Sequence, residues 1–125
     1  MIQTLLQVAL GGAIGASARF LTNVAALRLL GGAFPWATLA VNIVGSFLMG
    51  VLAVYLAGKG GMRAAPFLMT GILGGFTTFS AFSLDTVTLF ERGQTGAALG
   101  YVLTSVLLSL AAIVAGMALA RGLWG

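Results

Sequence analysis

Apolar residues dominate this chain in four long runs, and polar residues appear between them as short punctuation. The runs cover approximately 5–26, 36–57, 65–90 and 97–119, and each meets the length of about 20 helical residues needed to cross hydrocarbon. The connections, 28–35, 58–63 and 91–96, leave no room for a water-soluble domain. The pattern therefore predicts an all-α membrane protein, one domain over residues 1–125 with four transmembrane helices. The opening MIQTLLQVAL has no basic n-region, and its apolar run outlasts a signal h-region, so it is expected to be a retained first span.

The third run departs from a plain membrane helix at Gly71–Phe82, GILGGFTTFSAF. Gly74 and Gly75 each weaken a helix by roughly 1 kcal/mol relative to alanine. The adjacent Thr77 and Thr78 carry hydroxyls that compete for backbone partners and bend or open a helix. A break near the midpoint of this span is expected. In hydrocarbon, the carbonyls such a break frees must find protein, water or an ion, so a discontinuous span marks a site. Phe79 and Phe82 follow at i and i+3, on one helical face. The plainer reading has the glycines allowing close packing and the phenylalanines facing lipid.

The other runs carry polar positions at helical spacing. In the first, Gly11 and Gly15 form a small-xxx-small pattern that admits a neighbouring helix, and Arg19 interrupts the apolar sequence. Arg19 reaches the membrane surface, lures anions at a pore entrance, or pairs with Asp85. In the second, Thr38, Asn42 and Ser46 recur every four residues. The Asn42 amide must bridge helices or line a wet path, because leaving it unpaired in hydrocarbon is costly. In the fourth, Tyr101, Ser105 and Ser109 lie along one stripe. Each serine can bond its own i−4 carbonyl, or the three residues can join the Asn42 stripe in a ladder of neutral donors.

Composition narrows the function. Sixty per cent of the 125 residues are hydrophobic and 6% are charged, far below the roughly 25% of a soluble domain. With no cysteine or histidine, and Asp85 and Glu91 as the only acids, the chain lacks the usual metal ligands and acid–base pairs, so catalysis is not expected. The net charge of +4 comes from basic residues scattered between spans, which form no patch for nucleic acid. Lys59, Arg63 and Arg121 fall on one side of the membrane, and Arg28 and Arg92, with Arg19 if it reaches outward, on the other. That near-balance gives no preferred orientation. Two oppositely inserted copies would be related by a twofold axis in the membrane plane, and an antiparallel homodimer of eight helices would complete an enclosure that four helices alone make poorly.

Taken together, GGAIGASARF (Gly11 to Phe20), TLAVNIVGSFLMG (Thr38 to Gly50), GILGGFTTFSAFSLD (Gly71 to Asp85) and YVLTSVLLS (Tyr101 to Ser109) resemble the small bacterial fluoride channels of the Fluc or CrcB family. The resemblance implies a dual-topology homodimer in the bacterial inner membrane, with two fluoride paths and a structural sodium ion, Na+, at the dimer centre. It implies that carbonyls of Gly74 and Thr77 hold the sodium, and that Asn42, Phe79, Phe82, Tyr101, Ser105 and Ser109 line the fluoride path. Ala37, Ala81, Asp85 and Ile113 depart from the pattern, the last where a threonine often continues the polar track.

Such a path would replace fluoride's hydration with neutral donors and the electropositive edges of Phe79 and Phe82, because full cationic sites would hold the ion too tightly to conduct. Four carbonyls, two from each copy, could replace the hydration of a hard cation. Two other readings stand beside this one. A small multidrug-type proton-coupled exporter shares the size and span count but depends on a carboxylate in the first span, which is absent here. In a non-conducting assembly subunit, the polar residues would serve only to join helices.

Overall fold

The structure, a computed structural model, describes residues 1–124. Its elements are α1 (Ile2–Leu30), α2 (Trp36–Gly58), a composite third segment spanning Met62–Glu91, and α5 (Thr95–Trp124). All four segments are long and apolar enough to cross a membrane, so the chain is a multi-pass membrane protein. α1 ends where Gly31 takes φ 80° and donates its N–H to the Leu27 carbonyl, a left-handed termination that favours glycine. Pro35, which cannot continue a helix from its N-terminal side, starts α2.

The third segment changes geometry four times. A 3₁₀ turn over Met62–Ala64 leads into a π-helical run, Pro66–Leu73, and then the single turn α3 (Gly74–Phe76). Thr77 (φ −87°, ψ 159°) and Thr78 (φ −154°, ψ 125°) are extended, and α4 (Phe79–Glu91) resumes the crossing. The break expected within Gly71–Phe82 is therefore present, with the two threonines as its unwound residues. The π-helical run before it was not legible in the sequence.

Close backbone approach holds this segment. A Cβ on Gly11 would fall on the Phe67 carbonyl oxygen, and one on Gly15 on the Ile72 carbonyl oxygen, so α1 can lie against the π-helical run only with glycine at both positions. From the other side, a Cβ on Gly75 would come within 2.7 Å of the Gly12 carbonyl oxygen. α2 and α5 form the most extensive helix pair, and they cross where Gly50 meets Ile113 and Gly116 meets Phe47. The apolar core of the single chain sits towards one end, where Leu39, Leu89, Ala98 and Tyr101 pack together with Phe34, Ile43 and Phe82 around them.

Candidate functional site

Side chains from α1 and α2 fix the break. Asn42 turns its whole amide onto Thr78: Nδ2 donates to the Thr78 carbonyl at 3.0 Å, and Oδ1 accepts the Thr78 N–H at 2.8 Å. One of the two Nδ2 hydrogens remains free of that pairing. The Arg19 Nε donates to the Gly75 carbonyl at 3.1 Å. The Thr78 hydroxyl accepts the Ala81 N–H at 3.2 Å and caps α4. Thr77 folds its hydroxyl back to the Leu73 carbonyl at 2.9 Å.

These bonds redirect the backbone ladder. In a continuous helix the Thr78 N–H would serve the Gly74 carbonyl, and the Ala81 N–H would serve the Thr77 carbonyl. Here the first goes to Asn42 and the second to the Thr78 hydroxyl. The Gly74 and Thr77 carbonyls thus lose their helical donors, and a carbonyl so released within a membrane span needs another partner.

Beside the break lies an open groove of about 390 Å³, walled by α2, α4 and α5. Asn42 and Ser46 line it from α2, Thr77 and Thr78 from the break, Phe79 and Phe82 from α4, and Ser105 and Ser109 from α5. Phe79 is 77% exposed in the single chain, and its ring centroid is 5.6 Å from that of Phe82 at an interplanar angle of 47°. The Ser105 hydroxyl is buried and has no hydrogen-bond partner among the described residues, so it keeps its donor hydrogen for whatever enters the groove. Ile113, one turn past Ser109, makes the far wall apolar.

The structure thus gathers Asn42, Phe79, Phe82, Ser105 and Ser109 at one groove and places Tyr101 behind it. Tyr101 is fully buried, its ring centroid lies 5.2 Å from that of Phe82, and its hydroxyl donates to the Asp85 carboxylate at 3.0 Å. Phe34 continues this aromatic column, edge-on to Tyr101 at 5.4 Å. Arg19 lies outside the groove lining, and the structure gives Arg19 and Asp85 different partners, so the expected alternative of an Arg19–Asp85 pair is not the one formed. A second, smaller cavity of about 160 Å³ opens where the 31–35 connection meets α4, with Asn23, Thr38, Asp85, Thr88 and Arg92 among its walls.

Ser46, which helical spacing sets on the Asn42 face, lines the groove with it. Gly45 was not legible as part of the site: a Cβ there would fall on the Thr77 methyl group, so the break sits against α2 only because that position is glycine. The capping role of Thr78 was readable from a threonine three residues before the Ala81 amide.

Residues 6–117 match the family model described as CrcB-like protein, Camphor Resistance. A Cereibacter sphaeroides protein named Fluoride-specific ion channel FluC is 71% identical over 122 residues, covering 98% of each chain. Proteins of the same name from Paracoccus denitrificans and Agrobacterium fabrum are 61% and 55% identical; the alignments cover 99% of both chains in the first case, and 94% of this chain and 95% of the relative in the second. With a match over nearly its whole length and relatives this similar, the chain belongs to the CrcB family.

Proposed function

We propose that this protein is a fluoride-selective channel that lets fluoride leave the cell passively across the bacterial inner membrane, working as an antiparallel, dual-topology homodimer. The observation that carries this reading is the end-to-end similarity to relatives named as fluoride-specific channels. The groove supports it, because its polar lining consists of neutral groups able to donate to an anion, set among apolar walls.

In this mechanism the groove strips and replaces water. Fluoride holds its hydration strongly, so each lost water must be matched by a donor. The unpaired Ser105 hydroxyl, the Ser109 hydroxyl one turn away and the free Nδ2 hydrogen of Asn42 supply donors without net charge. Phe79 and Phe82 supply a narrow apolar passage whose ring edges are electropositive. The N-terminus of α4 begins at Phe79, so the positive end of its dipole opens on the same groove. Tyr101, with its hydrogen given to Asp85, backs Phe82 and fixes the ring's position.

The exposed Phe79 face leaves the passage walled on one side only, and an inverted second copy would close it and create an equivalent passage. A structural sodium ion at the junction of the two breaks fits the residues present: Gly74 and Thr77 carbonyls have lost their helical donors, and a hard cation accepts such oxygens. When bound, it would supply a fixed positive charge between the two passages and tie the breaks together.

Fluoride efflux from sealed proteoliposomes, followed with a fluoride electrode, tests the reading. Efflux should exceed chloride efflux by at least about a hundredfold, equivalent to about 2.7 kcal/mol of discrimination, and should be lost in Phe79→Ile and Asn42→Asp proteins that still assemble. A folded, dimeric protein with no anion flux would contradict it.

A further inference from the structure

The break contains more carbonyls than one cation site would use, and the structure treats them unequally. Gly75 and Thr78 each have a side-chain donor, Arg19 from α1 and Asn42 from α2. Gly74 and Thr77 have had their own donors taken away. Arg19 is the unexpected member, because a guanidinium placed in an apolar helix beside a proposed cation centre repels the cation it neighbours. A simple electrostatic role at that position would work against the ion.

We propose that Arg19 is a positioning residue for the break: by holding the Gly75 carbonyl it keeps that oxygen from joining the Gly74 and Thr77 oxygens at the cation and thereby sets a preference for sodium over potassium. The inference rests on the sodium reading above. The chemistry is that of carbonyl number: a larger monovalent ion needs more oxygens to replace its hydration shell, and selectivity between the two ions follows the number and field of the carbonyls supplied. Nε donates along a fixed planar fork, which suits it to pinning one oxygen in place. Gly75 itself is wedged against Gly12 and Ala16, so α1 provides both the clamp and the surface against which it presses. Releasing Arg19 would free the Gly75 carbonyl as a further oxygen in each copy.

The test compares thermal stabilisation of the purified dimer by sodium chloride, potassium chloride and N-methylglucamine chloride, in wild type, Arg19→Lys, Arg19→Gln and Arg19→Met. The ratio of half-stabilising potassium to sodium concentrations is the readout, since the loss of a positive charge changes affinity for both monovalent ions alike and cancels in the ratio. Wild type should favour sodium. In Arg19→Gln and Arg19→Met the ratio should fall by about tenfold, while Arg19→Lys, which keeps a donor and the charge, should stay within about threefold of wild type. An assembled Gln or Met variant that keeps the wild-type ratio overturns the assignment. A wild-type dimer indifferent to sodium overturns the sodium reading and the assignment with it. The wild-type protein provides a further check that needs no variant to fold: of its five arginines, Arg19 should show an Nε–H resonance protected from solvent exchange. Exchange as fast as that of Arg28 or Arg121 overturns the assignment as well.

Discussion

Asn42 and Ser105 mark opposite solutions to placing a polar group in hydrocarbon. Asn42 commits an N–H and its oxygen to one backbone unit, Thr78, and so joins helices while keeping a hydrogen for the groove. Ser105 commits nothing: its hydroxyl is buried and unpartnered. Because no protein bond is lost, Ser105→Ala should leave thermal stability within about 0.5 kcal/mol of wild type, or raise it slightly, while fluoride flux falls. Parallel melting and electrode measurements on the same preparation check this, and a stability loss without any flux change would show the hydroxyl to be structural. The spacing of these two residues was readable in the sequence, as was their type. What the sequence did not disclose is how their hydrogens are allocated, because that depends on where Thr78 and the α5 backbone lie in space. Tyr101 makes the same point: spacing puts it on the Ser105 stripe, yet its hydroxyl faces Asp85 and lies away from the groove.

The third crossing shows what local sequence can and cannot announce. Two glycines and two threonines in hydrocarbon foretell an interruption, since they weaken the ladder and offer competing hydroxyls. The π-helical run over Pro66–Leu73, which lies in close backbone contact with Gly11 and Gly15 of α1, leaves no such signature in the local sequence. That contact depends on Gly15, where a methyl group would meet the Ile72 carbonyl and the Phe76 amide. Gly15→Ala should therefore destabilise the protein by about 1–3 kcal/mol. Gly122→Ala, which adds its methyl to open space on α5, should be neutral or stabilising by up to about 1 kcal/mol. Thermal unfolding in detergent distinguishes the two, and equal effects would count against the tight α1 contact.

On the scale of the whole molecule, the span count was legible because hydrocarbon thickness fixes run length, and the structure has four such helical segments among the described residues. The proposed inverted dimer draws on three observations, an open groove with an exposed phenylalanine, redirected carbonyls at the break and near-balanced flanking charge. The chain has no cysteine, so a single one introduced at Gln94, exposed between α4 and α5, reports orientation cleanly. With a membrane-impermeant thiol reagent on intact spheroplasts, about half of the sites should react, and the rest only after permeabilisation, as the proposed dual topology requires. Labelling that is complete, or absent, from the outside alone would contradict the antiparallel dimer on which the proposed pathway depends.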